Sequence, residues 1–153
     1  MDIIENLRIQ GVKESLIEDV LHFRKEFKVD DEVKHRITKS PAFYIGEDIL
    51  SMCIAAILEE ENILLSGPKA TGKNLLSDNL SEIFGRPQWN TSFHINTDSS
   101  SLIGTDTFID NEVKLRRGSV YECAIHGGFG VFDEINMAKN DAIVVVHSAL
   151  DYR

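Results

Sequence analysis

The sequence has little that would crosslink a chain, anchor it in a lipid bilayer or attract it to a polyanion. Its two cysteines, Cys53 and Cys123, stand far apart in apolar surroundings and form no metal-spaced pair, which excludes a disulfide scaffold and a cysteine-rich zinc module. Both are expected to be buried free thiols. The hydrophobic runs all fall far below the ~20 residues needed to span a bilayer. The opening MDIIENLRIQ lacks the basic region and apolar core of a secretory leader. Together these absences predict a reducing, cytoplasmic setting. Positive charge is also scarce, with 16 Lys and Arg against 25 Asp and Glu, a net charge of -9 and a pI near 5.0. Such a surface repels a phosphate backbone, which disfavours nucleic acid as a partner. Lys114, Arg116 and Arg117 are the one candidate basic patch, and they read as a solvated turn or hairpin rim. No internal repeat or low-complexity segment occurs.

The 153 residues are 42% apolar and 27% charged, the profile of a soluble globular chain the size of one ordinary domain. Leu16, Ile17, Val20, Leu21 and Phe27 recur at helical spacing after a break at Gly11, predicting a short turn and then an amphipathic helix. Residues 28–41 read as a charged connection or a short helix ending before Pro41. Ile49, Leu50, Cys53, Ile54, Ile57 and Leu58 mark a second helix over residues 47–60. The periodicity then changes. Ile63-Leu64-Leu65-Ser66 is a short continuous apolar run that predicts a buried parallel strand. Residues 73–84 predict a helix stopped by Gly85 and Pro87, and Phe93-His94-Ile95 a second strand. A hairpin is expected around Asp110-Asn111-Glu112, a helix over 118–125, a strand over 129–132 and a helix over 141–150. Strands separated by helices, each covered on both faces, indicate a three-layer α/β fold.

Gly67-Pro68-Lys69-Ala70-Thr71-Gly72-Lys73 has the G-x-x-x-x-G-K spacing of a phosphate-binding P-loop. Such a loop turns successive backbone N–H groups toward one anion, and the positive end of the following helix adds to the attraction. Lys73 supplies a point charge to the β and γ phosphates. Asn74 stands where a serine or threonine normally ligates Mg²⁺. Its amide oxygen can coordinate a hard cation, although the longer side chain and NH₂ group make the substitution unequal. Ala70 replaces a more usual glycine, which is mild only if its φ is negative. The complementary signal is Phe129-Gly130-Val131-Phe132-Asp133-Glu134, an apolar strand running into two carboxylates. There Asp133 is expected at the Mg²⁺ shell, and Glu134 to orient or deprotonate the attacking water.

These residues resemble the AAA+ ATPases, and more narrowly the branch of MoxR-like, CbbQ/NirQ, gas-vesicle GvpN, midasin, dynein-related and McrB-type modules. Tyr44-Ile45-Gly46, NILLSGPKATGK, Leu102-Ile103-Gly104, Arg117-Gly118-Ser119-Val120 and Asp133-Glu134-Ile135-Asn136 carry the likeness, which covers residues 44–153. It implies ATP held by the backbone of residues 67–72, phosphate contact by Lys73, a metal role for Asp133 and water activation by Glu134, with Asn136 helping to position that carboxylate. It also implies a homo-oligomeric ring acting on a protein client. The family's fourth core strand, its sensor residue, an arginine finger from a neighbour and a helical lid all follow the stretch seen here. The expectation is therefore an N-terminal helical segment, residues 1–40, ahead of a partial AAA+ domain, residues 41–153, in an incomplete P-loop core. The alternative is a nonenzymatic nucleotide-binding or interaction module, impaired by Asn74 and the missing elements.

Overall fold

The computed structural model describes residues 2–109 and 111–151, with the side chain of Ile109 left out. The expected turn residue Asp110 lies outside the described residues. The chain is mixed α/β and divides into two compact units, Met1–Pro87 and Gln88–Arg153.

The first unit is helical. α1 (Ile3–Gln10) ends where Gly11 turns the backbone, and α2 (Glu14–Glu26), α3 (Glu47–Leu58) and α4 (Lys73–Phe84) follow. Their apolar stripes face one another. Ile3, Ile4 and Leu7 of α1, Ile17 and Val20 of α2, Leu50 and Ile54 of α3, and Leu76, Ile83 and Phe84 of α4 are all buried. Phe23 meets Phe84 edge-on at 5.2 Å between ring centroids. Burial on this scale stabilises by about 1.5–3 kcal/mol for each large side chain. Arg24 reaches from α2 to the C-terminal carbonyls of α4, donating Nε to the Ile83 oxygen at 2.7 Å and Nη2 to the Glu82 oxygen.

The second unit holds every strand among the described residues. β1 (Gln88–Ser92) and β4 (Phe129–Asp133) form a parallel pair, with Gln88 opposite Phe129 and Ser92 opposite Asp133. The crossover between them carries α5 (Ser99–Ile103), the antiparallel hairpin β2 (Gly104–Ile109) and β3 (Glu112–Arg117), and α6 (Ser119–His126). A 3-10 turn (Ile135–Met137) leads to α7 (Asn140–Leu150). Phe93, Leu102, Ala142 and Val146 form the core, covered by Val120, Phe132 and Ile135. Trp89 is buried too and stacks on His126, with the ring planes 9° apart.

Most elements fall where the sequence puts them, with some differences, the first being that α1 is a helix of 8 residues where the sequence predicts a short turn. Residues 62–66 form no strand, and Leu64 is 84% exposed, because a strand is defined by a ladder partner and this unit contains none among its described residues. The second strand lies at Gln88–Ser92 instead of 93–95, since Phe93 turns into the core and Ile95 faces solvent. Cys53 is buried, but Cys123 is only half-buried; neither forms a disulfide. Burial pushes the Cys53 thiol up.

Lys114, Arg116 and Arg117 do sit on an exposed hairpin strand. Lys114 pairs with Glu112 at 3.6 Å and Arg117 with Glu122 at 3.8 Å. Among the described residues, no helix is long and apolar enough to cross a membrane.

Candidate phosphate-binding site and acidic strand end

The loop of residues 67–72 precedes α4 directly, so its backbone leads into the positive end of a three-turn helix. Gly72 caps that helix at φ +84°, a conformation that favours glycine. Ala70 is at φ +61°, so the milder alternative for this position does not hold. A left-handed alanine costs about 1–2 kcal/mol, and the loop keeps the turn in spite of that cost. Two side chains knit the loop. Thr71 Oγ1 donates to the Pro68 carbonyl at 2.9 Å, and Lys73 Nζ donates to the carbonyls of Gly67 at 3.1 Å and Pro68 at 2.8 Å. The ammonium group therefore lies across the loop it follows. Residues 67–71 are exposed, as a ligand-facing loop must be. A cation, a solvent-reachable backbone and a helix start occur together here, the donor set that suits a phosphate chain.

Asn74 is exposed on the first turn of α4. Asp133 ends β4, and the sheet brings its carbonyl against the Phe93 N–H at 2.9 Å. Its carboxylate accepts the backbone N–H of Glu134 at 3.0 Å. Glu134 is exposed and left-handed, at φ +54° and ψ +38°, a conformation disfavoured for a side chain of this type. Its carbonyl accepts from Met137 and starts the 3-10 turn. Behind the pair, Phe132 and Ile135 pack against the unit's core, so the carboxylates stand on a fixed strand end. Asn136 is exposed in the same turn. Residues 67–74 belong to the first unit, and Asp133, Glu134 and Asn136 belong to the second. Among the described residues no three His, Cys, Asp or Glu side chains gather as a metal cage. A magnesium ion in a phosphate site needs only one or two protein ligands besides the phosphates.

Three residues beside the loop escaped the sequence reading or entered it only as part of a motif. The Tyr44 ring lies against Gly72, where an added methyl would come 3.5 Å from its Cε2. Asn79, 2% exposed on α4, and Gln10 at the end of α1 bond the backbone around Tyr44. The available signal was a polar residue, Asn79, between Leu76, Leu80 and Ile83 on an otherwise apolar helix face.

Residues 62–153 match the family described as AAA domain (dynein-related subfamily). The chain is 32% identical over 134 residues to the uncharacterized protein YojN of Bacillus subtilis, covering 84% of this chain and 44% of that protein. It is 36% identical over 98 residues to uncharacterized proteins of Staphylococcus saprophyticus and Staphylococcus aureus, covering 61% of this chain and 37% of each of them. The chain thus spans less than half the length of the curated relatives it matches. With a family match over more than half its residues, the chain belongs to the AAA domain family, dynein-related subfamily.

Proposed function

We propose that this chain binds ATP with Mg²⁺ and hydrolyses it as part of a ring-forming, MoxR-like AAA+ ATPase that remodels protein clients in the cytoplasm. In this reading residues 1–40 are an N-terminal helical segment, and residues 41–153 are part of an AAA+ domain with a three-layer P-loop core. The backbone of Gly67, Pro68, Lys69, Ala70, Thr71 and Gly72 cradles the phosphates, and Lys73 neutralises the β and γ oxygens. Asp133 and Asn74 hold the metal. When bound, Mg²⁺ draws charge from the phosphate oxygens and fixes their orientation. Glu134 accepts the proton of the attacking water. The observation that carries the reading is Lys73, whose ammonium group crosses the mouth of the loop at 2.8 Å from the Pro68 carbonyl, beside the start of α4. Calorimetric titration of ATP with Mg²⁺, together with phosphate release, tests it. Wild type should bind, Lys73→Ala should lose at least tenfold in affinity, and Glu134→Gln should bind while losing turnover. Absence of ATP binding by wild type at millimolar nucleotide rejects it.

A second reading is a nonenzymatic nucleotide-binding or interaction module. It is favoured by Asn74, which lacks the usual hydroxyl, and by the left-handed backbone of Glu134. Turnover that needs Mg²⁺ and disappears in Glu134→Gln decides against it.

A further inference from the structure

A set of hydrogen bonds that the nucleotide chemistry does not use joins the N-terminal helix to the phosphate loop. Gln10, the last residue of α1, donates Nε2 to the Tyr44 carbonyl at 3.0 Å and accepts the Gly46 N–H at Oε1, also at 3.0 Å. Asn79 approaches the same segment from α4. Its Oδ1 accepts the Tyr44 N–H at 3.0 Å, and its NH₂ group reaches the Ala42 carbonyl at 3.1 Å and Ser40 Oγ at 3.0 Å. Both backbone polar groups of Tyr44 are therefore held by side chains of two different helices.

This arrangement fixes the ring as well. A methyl on Gly46 would lie 3.0 Å from Tyr44 Cε1, and one on Gly72 would lie 3.5 Å from Cε2. The ring is wedged between a glycine of the segment and the last glycine of the loop. Gly72 immediately precedes Lys73, and its left-handed φ sets the direction in which the loop enters α4. A residue held at N–H, at C=O and on both ring edges cannot shift without breaking several of these contacts.

We propose that Gln10 and Asn79 are positioning residues for nucleotide binding: by holding Tyr44 against Gly72 they set the shape of the phosphate loop, so that docking of α1 and occupancy of the loop are energetically coupled. This rests on the nucleotide-binding reading above. The coupling is reciprocal, so ATP must in turn tighten the seat of α1.

The test is a double-mutant cycle on the whole chain, read as the Kd for ATP with Mg²⁺ and as thermal stability. Gln10→Ala should raise Kd about five- to tenfold, the range expected for losing two hydrogen bonds that favour one loop shape. In a Tyr44→Ala background the same change should alter Kd less than about twofold. Gln10→Glu keeps the acceptor for Gly46 but loses the donor to Tyr44, and should fall between wild type and Gln10→Ala. A lower melting temperature with an unchanged Kd makes Gln10 merely structural and overturns the proposal. So does an equal loss with and without Tyr44. If the variants fail to fold, amide exchange on wild type decides: ATP must slow exchange at Tyr44 and Gly46, and unchanged exchange there overturns it. Wild type that binds no ATP fails at the first titration, which rejects the nucleotide reading and this inference with it.

Discussion

The backbone at Leu102 passes so close to Gly118 that a methyl group built on the glycine would lie 2.2 Å from the Leu102 carbonyl oxygen. The Gly118 N–H donates to the neighbouring Ile103 carbonyl at 2.9 Å, so α5 and the start of α6 are joined backbone to backbone. No flexible side chain is available to move aside. Gly118→Ala should therefore destabilise the second unit by about 1–3 kcal/mol or more, the usual cost of overpacking. Trp89, the single tryptophan, is buried in that unit, and its fluorescence gives the measurement. An unchanged denaturation midpoint would contradict the close approach.

Ala70→Gly should have the opposite sign to an ordinary alanine-to-glycine change. Glycine in a regular position costs about 0.5–1 kcal/mol relative to alanine. At φ +61° alanine already bears about 1–2 kcal/mol of steric cost that glycine removes. The variant should be neutral or more stable by up to about 1 kcal/mol, read from helical circular dichroism in urea. A clear loss of stability would mean that position 70 is not left-handed.

Arg24 offers a test of how α4 is held at its far end. Its guanidinium, half-buried between the helices, serves two carbonyls of the last turn, and burial lowers its pKa without neutralising it. Arg24→Met should cost about 1.5–3 kcal/mol, as for hydrogen bonds made by a charged group. Arg24→Lys should recover part of this, because one ammonium lacks the fork that reaches both oxygens. Full recovery by lysine would show that charge alone matters.

Acid should loosen α5 first at Asp98. Its carboxylate caps the helix, accepting the Ser101 N–H and the Ser100 hydroxyl, each at 2.9 Å. The backbone bond from Ser101 is the largest cause holding its pKa below the usual aspartate value. A depressed carboxylate contributes stability that is present above the unfolded-state pKa, about 3.9, and is lost as pH falls through the folded value. Asp98→Asn keeps a capping oxygen, so stability near neutrality should change little while the acid loss flattens. Parallel pH profiles for wild type and variant below pH 4, roughly where free aspartate titrates, would refute the assignment.

Elements whose own composition decides them were legible in the sequence. α4 follows from its apolar stripe and the stop at Gly85, and β4 from four residues without charge before Asp133. β1 was not legible, because Gln88-Trp89-Asn90-Thr91-Ser92 contains one large apolar residue and owes its strand to pairing with β4. Residues 62–66 show the reverse case, an apolar run with strand composition and no ladder among the described residues of its unit. Over residues 67–73 the spacing marked Lys73 and the glycines as site candidates. It could not announce the partners of Gln10 and Asn79, whose bonds reach backbone 34 to 37 residues away; only Asn79 left a local trace, as a polar residue on an apolar helix face.

The two carbonyl contacts of Lys73 have a consequence for selectivity. A loop whose cation is already served by its own oxygens gains from a ligand only the difference between new partners and old ones. A singly charged anion offers little more than a pair of carbonyl dipoles. A polyphosphate chain, with several charged oxygens to present at once, outcompetes them easily. On the proposed reading, the resting bonds of Lys73 would act as a threshold, favouring a polyphosphate over small singly charged anions.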